Sequence, residues 1–192
     1  LYVAPYCLPQ LVRQFRAFTE TETGERVIRR AGFVNQELTR TPLRQQGERL
    51  RNAVLAAGED VALVDLQAML TRLGMAERLS STFRFAGGAA ELDTQSRAAI
   101  GRLASAIRTG AFDGRTLHFV GFSDSAGSAR INLRLAERRA QAVHDAVRAA
   151  TDGAAAARVT MRTAAFGEAL PMACEDTDWG RAVNRRVEVW VE

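Results

Sequence analysis

The sequence predicts a two-layer α/β sandwich of the α+β kind, with helices on one face of a mixed sheet and a mainly helical N-terminal extension. Three observations predict it. From Ser80 onward, strand alternation and helical periodicity follow one another in the order β-α-β-α-β-β. Before Ser80 the periodicity is almost entirely helical. At 192 residues, with no internal repeat, the chain has room for one domain and an appendage.

Residues 1–4 read as a short apolar strand and 5–9 as a proline-bounded turn. Leu11, Phe15 and Phe18 fall at i, i+4 and i+7 of an amphipathic helix. A turn at Thr23-Gly24 interrupts it, Val27 and Ile28 continue it to Ala31, and Gly32 stops it. Pro42 marks a boundary. Helical stretches at 43–57 and 60–79 follow, with Gly58 between them; the second has Leu63, Leu66, Leu70 and Leu73 as its apolar stripe. Neither carries a constellation of chemical groups, so 41–79 reads as a connector between 1–40 and a domain at 80–192.

In that domain, residues 82–85 alternate as a strand and Gly87-Gly88 is a loop. Asp93 is the N-cap of a helix that runs to about Arg108, with Ile100, Leu103 and Ile107 facing inward. Residues 116–122 are a strand, 123–127 a loop, and 129 to about 150 a long helix. A strand at 159–166, a long loop at 167–183 and a strictly alternating strand at 185–191 complete the chain. Phe83, Phe85, Phe119, Phe122, Val189 and Trp190 are core and sheet-face candidates.

Composition excludes several classes. Apolar residues make up 47% of the chain and charged residues 25%, which excludes wholesale disorder and fibrous repeats. No run of about 18 uncharged apolar residues exists, so direct membrane insertion as a helix is not expected. The chain starts Leu-Tyr-Val without a signal peptide, and its N-terminus reads as an internal cut. All 26 basic residues are Arg, against 22 acids, for a net charge of +4. They are spread along the chain: 11 Arg and 9 acids lie in 1–78, 15 Arg and 13 acids in 79–192. A nucleic-acid partner needs clustered charge and is not expected. Cys7 and Cys174 stand without a C-x-x-C or a neighbouring His, so no metal site is expected. A disulfide between them stays open, because spacing does not show geometry. No Gly-rich nucleotide loop occurs, and no cofactor is expected.

The informative stretch is GFSDSAGS at 121–128 with the helix after it. Asp124 sits between a strand end and a helix start, a usual address for ligand contact in α/β folds. Asn132 and Arg139, seven apart, lie on nearly one face of that helix, and helical side chains lean toward the N-terminus, so Arg139 reaches back toward the Asp124 loop. Two readings of the spacing stand side by side. A carboxylate beside a guanidinium suits a zwitterion, the Asp taking an ammonium and the Arg a carboxylate. The same spacing also fits an ion pair that only holds the domain together. Catalysis is not expected: Gly121-Phe-Ser-Asp-Ser lacks the final Gly of a nucleophile elbow, and neither His118 nor His144 has an evident Asp to orient it.

Residues 80–192 resemble the OmpA-like C-terminal domain. The matching pieces, in order, are FRFAGGAAELD at 83–93, FVGFSDSAGS at 119–128, N-x-x-L-x-x-x-R-A-x-x-V at 132–143, FGEALP at 166–171 and GRAVNRRVEVWV at 180–191. The resemblance implies non-covalent binding of the peptide stem of peptidoglycan in the periplasm, associated with the cell envelope, and no enzyme activity. Asp124 and Arg139 would grip diaminopimelate, with Asn132, Ser123 and Arg185 in support. The sequence departs from the family at Ala86-Gly87-Gly88, where polar side chains are usual. Residues 1–40 are similar to the C-terminal end of a PstS-type periplasmic phosphate-binding protein. That implies an alternative reading, in which the chain is the positioning or sensory part of a phosphate-binding or transport protein whose ligand site lies upstream. An orphan apolar strand at 1–4 would pair with a second copy, giving a homodimer, or stay poorly ordered.

Overall fold

The computed structural model describes residues 9–19, 21–33, 38–56, 63–92 and 94–192. The expected strand at 1–4, Cys7 and the N-cap Asp93 lie outside the described residues. The chain divides into two compact units, Leu1–Leu38 and Thr39–Glu192.

In the first unit, two helices, α1 (Gln10–Thr19) and α2 (Glu22–Arg30), stand where one interrupted helix was expected. The break falls at Thr21 and not at Thr23-Gly24. Thr21 is the N-cap of α2, and its hydroxyl accepts from the Gly24 amide at 3.1 Å. Gly24 lies inside α2, where a methyl would strike the Phe18 carbonyl. Gly32, at φ 80°, follows the C-cap Ala31 as the helix stop.

The second unit is built on five strands: β1 (Arg40–Pro42), β2 (Glu77–Arg84), β3 (Thr116–Phe122), β4 (Thr160–Ala165) and β5 (Arg186–Val191). Their order across the sheet is β1-β2-β5-β3-β4; β3 and β4 are parallel, and the other neighbours antiparallel. The connector supplies β1 and two helices, α3 (Gly47–Ala56) and α4 (Leu63–Leu73). Next come α5 (Thr94–Arg108), α6 (Ala129–Ala150), the short α7 (Gly153–Ala156) and α8 (Asp178–Asn184). The succession β2-α5-β3-α6-β4-β5 is the one read from the sequence.

Helices α5 and α6 cover one face of the sheet. Phe119 of β3 meets His144 of α6 edge-on, ring centroids 5.8 Å apart. Gly121 of β3 touches α6 so closely that a methyl would overlap the Ala136 carbonyl. The other face is covered too, where helices were expected on one face only. Ala53 of α3 and Leu66, Met69 and Leu73 of α4 form a core with Val120, Phe122, Leu170 and Trp190. The buried stripe of α4 is therefore Leu66, Met69 and Leu73, while Leu70 is 37% exposed.

Helix α4 stops at Leu73 and β2 starts at Glu77, where the sequence suggested helix to 79 and strand from 82. The register of β2 against β5 shifts between Arg78 and Thr82, and that irregularity breaks the alternation by which a strand is read. Pro42, expected as a boundary, is a strand residue opposite Glu77; on an edge strand its missing N–H removes no needed ladder bond. The 167–183 loop holds α8, begun by Thr177, whose hydroxyl accepts from the Gly180 amide.

Alternation along β5 turns Val187, Val189 and Val191 toward α5 and α6, and Arg186, Glu188 and Trp190 toward α3 and α4. All six residues of β5 are buried. Glu188 accepts from Arg186 Nε at 2.7 Å, from both terminal nitrogens of Arg49 on α3, and from Trp190 Nε1 at 3.2 Å. Arg186 also donates to the carbonyls of Leu170 (2.6 Å) and Asn184 (3.3 Å) and lies 4.2 Å from the centre of the Phe122 ring. Burial alone would raise the Glu188 carboxyl; Arg186 and Arg49 outweigh it and hold the group at about 2.

Two outcomes are expected. Met69→Ala should lower stability by about 2–5 kcal/mol, and Leu70→Ala should stay within about 0.5 kcal/mol of the parent, both measured by urea denaturation. Equal effects would show that α4 does not pack as described. Because Glu188 titrates below its ordinary value of 4.5, its stabilisation is present above that pH and lost as pH falls toward 2. Glu188→Gln, which strands the buried Arg186 guanidinium and the half-buried one of Arg49, should cost about 3–5 kcal/mol at neutral pH. It should also flatten the acid limb of the melting-temperature profile in calorimetry; an unchanged limb would assign acid unfolding to other carboxylates.

Candidate functional site

The site forms where β3 and β5 meet the loop after β2. Asp124 follows the last residue of β3 by two positions and is 6% exposed. Its Oδ2 accepts from Arg185 Nη1 at 2.6 Å. Arg185, the C-cap of α8, is tied in turn to Phe85: its Nε donates to the Phe85 carbonyl at 3.2 Å, and its own carbonyl accepts from the Phe85 amide at 3.1 Å. Among the described residues nothing donates to the other oxygen of Asp124.

Arg139 projects from α6 into the same place and is fully buried. Its Nε donates to the Ala89 carbonyl at 2.9 Å and its Nη2 to the Ala86 carbonyl at 3.0 Å. Its guanidinium carbon lies 5.4 Å from the centre of the Phe85 ring. The remaining nitrogen, Nη1, is buried and has no hydrogen-bond partner. Burial lowers the Arg139 pKa to about 10, the charge of Asp124 works against that fall, and Arg185 and Arg138 add to it. The group is cationic at neutral pH. Asp124 and Arg139 sense each other's charge without an ion pair between them; the partner of Asp124 is Arg185.

The other two candidates sit apart from that contact. Ser123 neighbours Asp124, its amide donates to the Gly167 carbonyl, and its hydroxyl is buried without a partner. The Asn132 amide donates to Glu168 Oε1 at 2.6 Å, which ties α6 to the start of the 167–183 loop.

Three contributors were not foreseen. The carbonyls of Ala86 and Ala89 seat Arg139, so the loop that lacks polar side chains supplies its main chain instead. Glu175 clamps the Asp124 loop: one oxygen accepts from the Ser125 amide at 2.8 Å and from its hydroxyl, the other from Asn184 Nδ2 at 2.6 Å. Asn184 is buried and also accepts from the amides of Met172 and Ala173, so the long loop and the Asp124 loop hang on one side chain. Asn184 was visible in a quoted motif; Glu175 looked like any loop acid.

The histidines lie elsewhere. His118 is buried against Glu192 at 3.2 Å, and His144, expected at the surface, is packed on Phe119 with its Nδ1 2.8 Å from Asp145. Neither touches a hydroxyl or thiol among the described residues. Cys174 is exposed and unbridged. No helix among the described residues is long and apolar enough to cross a membrane, and no group of three or more His, Cys, Asp and Glu residues is placed to hold a metal.

A family model described as the OmpA family matches residues 84–185, more than half of the chain. The probable lipoprotein YiaD of Escherichia coli strain K12 is 40% identical over 73 residues, which are 38% of this chain and 32% of the lipoprotein. Outer membrane porin F of Pseudomonas fluorescens is 43% identical over 72 residues, 38% of this chain and 21% of the porin. The matched region thus spans a third or less of these curated relatives. The crystal structure of the peptidoglycan-associated lipoprotein from Burkholderia pseudomallei superposes with a TM-score of 0.50 at 22% identity, over 58% of this chain and 89% of that one, a likeness of fold.

The isolated Nη1 makes Arg139 a burden on the folded state as well as an asset, since a buried unsatisfied N–H costs about 1–3 kcal/mol. Arg139→Met, which keeps volume and removes the charge, should leave stability within about 1 kcal/mol of the parent or raise it. Thermal melts decide this; a loss of several kcal/mol would make the guanidinium a structural support.

Proposed function

The chain belongs to the OmpA family, and from that premise we propose that it binds the stem peptide of peptidoglycan non-covalently and anchors its protein to the cell wall. OmpA-family domains of lipoproteins and outer-membrane porins act in the periplasm at the cell envelope, which is where this chain works.

One observation carries the reading. Arg139 holds a buried cationic N–H with no partner, beside a carboxylate that has one oxygen free. Two of its three nitrogens are already fixed by main-chain carbonyls, so the guanidinium is held in place before any ligand arrives. A zwitterion satisfies both groups together: its carboxylate takes Nη1 of Arg139 and its ammonium takes Asp124. Diaminopimelate, whose side chain ends in an amino acid, has that shape. Arg185 holds Asp124 in place and lowers the local repulsion of ligand carboxylate from it. Ser123 offers a free hydroxyl beside Asp124, and Asn132 supports the wall of the site through Glu168. No covalent step is needed, and the proposal contains none.

The family match begins at residue 84, so it lends nothing to the phosphate-binding resemblance of residues 1–40. The alternative, a part that positions a phosphate-binding or transport protein, rests on that resemblance alone. Pairing of two copies through residues 1–4 likewise rests on residues outside the described ones.

Calorimetric titration with a diaminopimelate-containing stem peptide, and co-sedimentation with purified peptidoglycan, test the reading. A charge-assisted hydrogen bond is worth about 1.5–3 kcal/mol, so Asp124→Ala should weaken binding about tenfold or more. Arg139→Lys should weaken it nearly as much as Arg139→Ala, because the planar fork is lost while the charge stays. Undiminished binding by a folded Asp124→Ala protein would remove the Asp/Arg assignment.

A further inference from the structure

The loop that carries Asp124 is held from outside itself. Asp124 accepts from Arg185 at 2.6 Å. The next residue, Ser125, donates both its amide, at 2.8 Å, and its hydroxyl to one oxygen of Glu175. Residues 125–130 are exposed, so side-chain packing does little to fix that end of the loop, and hydrogen bonds carry the task.

Glu175 reaches the loop from a main chain that α8 fixes at successive positions. Asn184 takes the amides of Met172 and Ala173 on its Oδ1, at 2.7 and 3.1 Å, and donates to the Ala173 carbonyl at 3.0 Å. Gly180 packs so close to Cys174 that a methyl would strike the Cys174 carbonyl. Arg181 Nη1 donates to the Glu175 carbonyl at 2.5 Å. The Glu175 side chain thus runs from a braced segment to a lightly packed one.

This bridge needs an acceptor at both ends. One oxygen of Glu175 faces the two donors of Ser125, and the other faces Asn184 Nδ2 at 2.6 Å. Asn184 is not free to offer its own carbonyl, since its Oδ1 already holds two amides. A glutamine has the length of a glutamate, but its NH2 would meet a donor at one end or the other. An aspartate accepts at both ends and is one methylene shorter than the span.

Resting on the peptidoglycan reading, we infer that Glu175 is a positioning residue for the stem peptide. It acts through Asp124 and does not touch the ligand. By holding the Ser125 amide it fixes the peptide link between Asp124 and Ser125, so the Asp124 carboxylate is in place before an ammonium arrives. The ordering of the loop is then complete in the free protein and does not weaken association.

Calorimetric titration of the full chain with a diaminopimelate-containing stem peptide tests this. Glu175→Gln should weaken binding about tenfold, and Glu175→Asp, which keeps the charge and loses the span, should weaken it as much. Circular dichroism and thermal melts of both variants should stay close to the parent. In the free proteins the Ser125 amide should exchange faster in both variants, while the Val120 amide in the middle of the sheet keeps its protection. A double-mutant cycle locates the effect: added to Asp124→Ala, Glu175→Gln should cause no further loss. Undiminished binding by Glu175→Gln, parent-like binding by Glu175→Asp, unchanged exchange at Ser125, or a full additional loss in the Asp124→Ala background would each overturn the positioning role and leave the peptidoglycan reading standing. A parent protein that does not bind the stem peptide would remove both.

Discussion

Glu188 is a carboxylate with no exposed surface, and the Thr39–Glu192 unit is arranged so that its cations stay with it. A charge removed from water survives only if its oxygens are filled. Arg186 fills part of that need from the same strand, and Trp190 adds an indole N–H. The remainder comes from Arg49, on a helix more than a hundred residues earlier in the chain. That requirement gives α3 a fixed seat on the sheet, and the apolar residues of α4 complete the lid. Two helices that look like a linker in one dimension thus become the second wall of the core.

The buried cluster and the candidate site meet at one peptide bond, between the C-cap of α8 and the start of β5. Arg185 turns outward to Asp124, and Arg186 turns inward to Glu188. Whatever keeps Arg186 in place also sets where Arg185 begins. The α8 turn before it is held by Asn184, whose amide group fastens the long loop and, through Glu175, the Asp124 loop. The candidate site is therefore braced from behind by packing and from the side by hydrogen bonds. Such bracing lets Arg139 keep an unsatisfied N–H without the loop collapsing onto it.

Much of this was legible in the sequence, for identifiable reasons. Strand β3 and helices α5 and α6 have clean periods, and their spans match the reading closely. Asp124 and Arg139 stood out because the order strand, loop, helix places them together whatever the details. What stayed hidden was of two kinds. Patterns broken by geometry misled: the register shift in β2 disguised a strand from 77 to 81, and the buried Met69 was passed over for the evenly spaced Leu70. Contacts with no local signature were invisible. The pairing of Asp124 with Arg185 spans sixty-one positions, Arg49 and Glu188 are farther apart still, and the alternation of β5 reads the same whether its charged face meets water or a helix.

The seat of Arg139 is made of main chain. Ala86 and Ala89 hold the guanidinium with their carbonyls, and their side chains do not take part. What this loop contributes to Arg139 is thus the path of its backbone, and apart from Gly88, at φ 68°, the letters written along it matter little. A scan that exchanges one side chain for another would register at Gly88 and find little at Ala86 and Ala89 themselves. Deleting a single residue from it would unseat the arginine. The loop is a case in which a gap tells more than most substitutions.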